Sequence, residues 1–143
     1  MTTVNEVPAD RYADNSDFPM IKLNFEKSAS GLIPAIAQDE KTGRVLMLAY
    51  INEAAWQQTL ATGEAHYWSR SRKEIWHKGS TSGHLQIIRE ILVDCDQDTV
   101  IYKVKQIGDA ACHQGYQSCF YRKVAGDTLQ HIDKKVFEPR DVY

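Results

Sequence analysis

No apolar run in this chain approaches the roughly 18 residues of a membrane-spanning helix. No export signal is visible, and the thiols are few, which points to the cytoplasm. Basic charge is not in excess: 17 Lys and Arg stand against 19 Asp and Glu, for a formal net charge of −2. Non-specific nucleic-acid binding through a strongly basic surface is therefore not indicated. Only three cysteines occur, an odd number that suits no secreted disulfide framework. There is no C-x2-C pair, and a structural zinc site of four cysteines would lack its fourth thiol within one chain. No Walker string G-x-x-x-x-G-K-S/T is present. The H-x-E and P-C-x-x-C strings of a zinc-dependent base deaminase are also missing. Internal repeats and low-complexity segments are absent.

What is there fits one domain, since 143 residues allow a substantial core. Residues 1–19 are polar and punctuated by proline and read as a flexible leader. The remainder, residues 20–143, reads as a single domain. Leu32 to Gln38 and Val45 to Tyr50 are apolar runs joined by Asp39-Glu40-Lys41-Thr42-Gly43, the signature of a β-hairpin. Asn52 is a good N-cap and Gly63 a good stop for a helix over Glu53 to Thr62. Its Ala55, Trp56, Thr59 and Leu60 share one face, so Trp56 is expected in the core. Glu64 to Ser69 reads as a strand. His84 to Val93, alternating through Leu85, Ile87 and Ile91, and Thr99 to Gln106 read as two more, with Cys119 to Val124 a further candidate. One helix and many strands give an α+β class with a mainly antiparallel or mixed sheet.

The most informative segment is Asp94-Cys95-Asp96-Gln97-Asp98, with Cys112 and Cys119 following. Carboxylates suit hard cations such as Mg²⁺, and thiols suit Zn²⁺. Three thiols with an open fourth position are the pattern of a catalytic zinc, which suggests a metal-assisted hydrolase. An Asp-rich turn or a lone buried cysteine is the commoner reading of either feature alone. In a strand, Asp94 and Asp96 would share a face about 6.6 Å apart, but Asp98 would stand about 13 Å from Asp94. The segment must therefore curl near Gln97 if all three are to meet. An EF-hand is excluded, because Thr99 occupies the glycine position and Lys105 the final Glu position.

Ser69-Arg70-Ser71-Arg72-Lys73 is the densest basic cluster, and Trp76-His77-Lys78-Gly79-Ser80-Thr81-Ser82-Gly83-His84 follows shortly after. On charge alone these are a solvated hairpin and a polar loop. The second stretch carries two histidines, a tryptophan and three hydroxyls within nine residues, which is rich for a plain loop. Glycines permit close approach to a ligand, and Arg with backbone N–H groups can hold phosphate. A substrate with two phosphates would suit two such clusters.

Taken in order, these motifs resemble the phosphoribosyl-AMP cyclohydrolase family of histidine biosynthesis. The resemblance runs from about Leu32 to Val124. It rests on Val45-Leu46-Met47-Leu48-Ala49-Tyr50, Tyr67-Trp68-Ser69-Arg70-Ser71-Arg72, Trp76-His77-Lys78-Gly79 with Thr81-Ser82-Gly83, Asp94 to Asp98, and Cys112-His113 through Ser118-Cys119-Phe120. Ser80 stands where the family pattern often carries Glu. The resemblance implies a small α+β pseudobarrel, a homodimer, and hydrolysis of 1-(5-phosphoribosyl)-AMP at N1–C6 of the purine. It implies Zn²⁺ on Cys95 with Cys112 and Cys119 of the other subunit, and Mg²⁺ on Asp94, Asp96 and Asp98. Zinc can lower the pKa of water from about 15.7 to about 7, and three thiolates weaken that effect, so a nearby base or second cation would help. His113 is the candidate base, with a purely structural histidine as the bland alternative. Arg70, Arg72 and Lys78 are the phosphate candidates. His77, His84, Trp76, Thr81 and Ser82 are candidates for further substrate contact.

The rival from another class is a non-catalytic zinc module that recognises RNA or a protein partner, with Tyr67, Trp68 and Trp76 stacking bases. The acidic balance argues against it. Many relatives carry a second domain that removes pyrophosphate from phosphoribosyl-ATP. The stretch after Val124 is shorter than the ~50 residues of a small domain, so no such activity is expected, and pyrophosphate release from that substrate would contradict this.

Overall fold

The computed structural model describes residues 21–141, and the polar leader expected over residues 1–19 lies outside them. Strands β1 (Ile33–Asp39) and β2 (Val45–Ile51) form the expected hairpin, followed by helix α1 (Glu53–Thr62). Then come β3 (His66–Ser69), β4 (Glu74–His77), β5 (Gln86–Val93) and β6 (Val100–Gln106). A separate hairpin is made by β7 (Arg122–Ala125) and β8 (Thr128–His131). The six-stranded sheet has the order β4-β3-β2-β1-β6-β5. Only β1 and β6 run parallel; the other neighbours are antiparallel. The class is the α+β mixed sheet read from the sequence.

The sheet curls. The chain between α1 and β3 meets the free edge of β5: Ala65 N donates to Gln86 O at 3.0 Å, and Ile88 N to Gly63 O at 2.8 Å. These bonds bend the sheet into a half-barrel around the core. Helix α1 starts where expected, because the Asn52 side chain accepts from Ala55 N at 2.9 Å. It ends at Gly63, whose φ of 74° is open to glycine without strain. Trp56 is buried and stacks on Tyr102 of β6, which in turn meets Tyr67 of β3.

Three local readings are corrected. In β5 the buried positions are Gln86 and Ile88, not Leu85 and Ile87. A bulge between Ile88 and Glu90 then inserts Arg89 and returns Ile91 to the core side, so no single alternation describes the strand. Cys119 to Tyr121 do not belong to a strand. Ser118 Oγ donates to Val45 O and Cys119 N to Leu46 O, which pins this segment to the backbone of β2. β4 is a strand that runs into the stretch read as a polar loop, and β8 is a strand for which the sequence carries no expectation. Each has four residues, too few for alternation to stand out.

Candidate functional site

The Asp-rich segment is the turn between β5 and β6, and it curls at Gln97, whose φ is 62°. Asp94 directs the turn: its Oδ1 accepts from Asp98 N at 3.0 Å and Thr99 N at 3.2 Å. The carboxylates of Asp94, Asp96 and Asp98 thereby offer oxygens within 4.8 Å of one another. A feature not foreseen is Lys27. Leu23 and Phe25 are buried and anchor a short 3-10 turn (Phe25–Lys27) beside the acidic turn, with Asn24 N donating to Gln97 O. The Lys27 ammonium then pairs with Asp96, and with Asp98 at 3.2 Å. That ammonium holds the Asp96 carboxyl down at about 2, while the neighbouring carboxylates push Asp98 upward. No spacing signal links Lys27 to residues so distant in the chain. The cluster accepts one cation already, and three converging carboxylates are a donor set that fits Mg²⁺.

Cys112 and Cys119 meet. Cys112 is buried in a tight turn in which Gly115 N donates to Cys112 O, and Cys119 is held by β2. Partial burial of its sulfur and the adjacent Cys112 push the Cys119 thiol up to about 11, with Lys78 opposing. Cys95 is exposed beside Asp96. Among the described residues, the only three metal-binding side chains that converge are the three aspartates, so the cysteines of one chain do not form a three-thiol site alone. Two thiols with soft donor character fit part of a zinc site, whose further ligands would come from elsewhere.

Arg70 and Arg72 lie in the β3–β4 turn, with the Arg70 guanidinium 4.2 Å from the centre of the Tyr50 ring. Lys78 is not with them. It lies past the other end of β4, buried, its Nζ donating to Ala111 O and standing over Trp76. Four residues of strand separate the two regions, about 13 Å. Thr81 is exposed, and Ser82 Oγ accepts from His84 N within the 78–84 loop. His84 packs edge-on against Phe137. His113 is exposed at the tip of the Cys112 turn, next to Gln114.

His77 is oriented by a residue the motifs did not single out: its Nε2 donates to Glu64 Oε1 at 2.7 Å. His66 stacks on it with ring centres 4.3 Å apart and donates from Nδ1 to Glu64 O. Burial, aided by His77, lowers the His66 pKa from its ordinary value of 6.5. The unfolded chain then takes up a proton that the folded chain refuses, so stability is lost as pH falls through about 6.5. Denaturant unfolding at about pH 7 and about pH 5 checks this: His66→Gln is expected to lose less stability over that interval than the unsubstituted chain. An equal loss in both contradicts it.

A family model of phosphoribosyl-AMP cyclohydrolase matches residues 47–121, which hold the β3–β4 basic turn, the aspartates and all three cysteines. The chain belongs to the phosphoribosyl-AMP cyclohydrolase family. It is 59% identical to the phosphoribosyl-AMP cyclohydrolase of Desulfotalea psychrophila over 124 residues, 87% of this chain and 98% of the relative. It is 57% identical to that of Desulfatibacillum aliphaticivorans over the same coverage. It is 54% identical to that of Methanosarcina acetivorans over 87% of this chain and 100% of the relative. Membership in this cyclohydrolase family decides for an enzyme over a non-catalytic zinc module. No helix among the described residues is long and apolar enough to cross a membrane.

Proposed function

We propose that this chain is a cytoplasmic hydrolase of histidine biosynthesis. It opens the purine ring of 1-(5-phosphoribosyl)-AMP at N1–C6, working as a homodimer with Zn²⁺ and Mg²⁺. The observation that carries this reading is the meeting of Cys112 and Cys119 with Cys95 held apart, in a chain of this family. Cys112 and Cys119 would hold zinc together with Cys95 of a second copy. Bound there, zinc supplies Lewis acidity that brings the ionisation of water toward neutral pH. Asp94, Asp96 and Asp98 would hold magnesium, which supplies countercharge for phosphate oxygens, with Lys27 yielding its place.

The chain's own groups do the rest. N1-ribosylation leaves C6 an electron-poor amidine carbon. His113 Nε2 takes a proton from the water that adds to C6, and a proton reaches N1 as the N1–C6 bond breaks. Arg70 and Arg72 fix one phosphate at the β3–β4 turn. His77 and His84, with Trp76, Thr81 and Ser82, lie around the other end of β4 and would orient the nucleotide. The apolar side chains Leu92 and Val93, near Cys95, and Phe120, beside Cys119, are exposed, as a dimer contact joining the two halves would require.

Arg72→Ala is expected to weaken substrate binding by about 1.5–3 kcal/mol, the worth of a charged hydrogen bond, with kcat little changed. Steady-state kinetics of ring opening, followed by the ultraviolet change of the purine, measures it. An unchanged KM would remove Arg72 from the site.

A further inference from the structure

A buried ammonium with no carboxylate beside it is costly and calls for another partner. Lys78 is 4% exposed. Its Nζ donates to Ala111 O at 2.5 Å and stands 5.3 Å from the centre of the Trp76 ring. Among the described residues no carboxylate lies within ion-pair distance of it. Burial lowers its pKa, and the thiols of Cys119 and Cys112 oppose that shift. It presents almost no surface to a substrate phosphate, and β4 separates it from Arg70 and Arg72.

Its contacts have two consequences. The bond to Ala111 O fixes the backbone one residue before Cys112, and so sets where that thiol points. The same bond seats the ammonium against the segment that carries Cys112, which together with Cys119 must be a thiolate to bind metal. Two thiolates side by side repel, and a fixed cation against both offsets that repulsion. Three thiolates around one divalent ion leave a net charge of −1, which one ammonium neutralises. Loading zinc at neutral pH expels thiol protons and makes the site more negative, so a fixed cation favours loading.

We propose that Lys78 is a positioning residue of the thiol pair: its ammonium is the built-in countercharge of Cys112 and Cys119, and its bond to Ala111 O sets Cys112 for metal binding. This rests on the zinc reading given above. Lys78 then acts on metal retention and not on phosphate recognition. Trp76 shields the ammonium from water on one side, and the Ala111 carbonyl satisfies one of its donors.

The test compares purified wild-type chain with Lys78→Met and Lys78→Gln. Zinc affinity is read by competition with a chromophoric chelator, and substrate affinity by titration of the metal-loaded protein. Methionine resembles the lysine stem without its ammonium, and replacing an unpaired buried charge by an apolar side chain is compatible with folding. The expected result is zinc affinity lower by about 10- to 100-fold in both variants, with substrate affinity of the fully loaded protein within about threefold of wild type. Unchanged zinc affinity with weakened substrate binding overturns the proposal and returns Lys78 to the phosphate. If the wild-type chain itself binds no zinc through its cysteines, the zinc reading fails and this proposal with it. A second measurement needs no variant: the Lys78 Nζ resonance of the ¹⁵N-labelled wild-type protein. It is expected to shift when zinc is added and to stay in place on later saturation with substrate. A shift with substrate alone contradicts the assignment.

Discussion

Cys95→Ala and Cys119→Ala are each expected to be inactive alone, and to regain activity when mixed and refolded together. The reason is the distribution of thiols. Cys112 and Cys119 meet within one chain, whereas Cys95 stands exposed on the β5–β6 turn and joins no three-ligand cluster there. A two-fold pair of chains would then build two equivalent sites, each with Cys95 from one copy and Cys112 with Cys119 from the other. In a mixed dimer one site carries both substitutions and the other carries neither. Random pairing of equal amounts makes half the dimers mixed, so about a quarter of the wild-type sites are restored. If each chain bound its own zinc, every site in the mixture would lack a ligand. Absence of recovery, with mixed dimers demonstrated, would count against the shared site.

The second large effect is on stability. Gly79→Ala is expected to destabilise the fold by about 2–6 kcal/mol. A Cβ there would lie 2.4 Å from the backbone of His84 and Leu85, and φ is +88°. Forcing a left-handed backbone on alanine and crowding a packed backbone each cost about 1–3 kcal/mol. Gly83→Ala is the control. Its φ is +83°, but nothing lies within 4 Å of the added carbon, so only the backbone cost of about 1–3 kcal/mol applies. Denaturant unfolding of the two variants separates the terms. Equal losses would mean that the 78–84 loop relaxes and that its close approach to His84 is not a constraint. The glycine thus serves contact between two parts of the chain itself, where the motif suggested contact with a ligand.

The parts of the fold legible in the sequence are those where local chemistry and burial agree. Asn52, Gly63 and the Ala55-Trp56-Thr59-Leu60 face define α1 to the residue, because cap and periodicity point the same way. The curl at Gln97 follows from geometry, since three short carboxylates on an extended strand cannot meet. Illegible parts depend on distant contacts. The inward side of β5 is set by Gln86, a polar residue buried because Tyr67 OH donates to its Oε1 at 2.6 Å and its own amide donates to Gln106 at 2.9 Å. No alternation of apolar residues announces that. Lys27 reaches the aspartates through the anchoring of Leu23 and Phe25. Lys78 reads as one of several basic residues in a polar loop, and only packing reveals that it is buried and bound to the Ala111 carbonyl next to Cys112.

The candidate site divides in the same way. The aspartates are singled out by donor chemistry, and the structure shows that their carboxylates converge. Glu64 is missed, because its role is to hold His77 from across the β3–β4 pair, and an isolated Glu carries no such signal.

The central claim is that this chain opens phosphoribosyl-AMP with cysteine-bound zinc. The most direct measurement follows ring opening by ultraviolet absorbance on a sample whose zinc content is determined at the same time, before and after chelation. The account predicts turnover with about one zinc per chain, loss of turnover as zinc is removed, and recovery on its return. Full turnover in protein shown to be free of zinc, or no ring opening by protein fully loaded with zinc and magnesium, would contradict it.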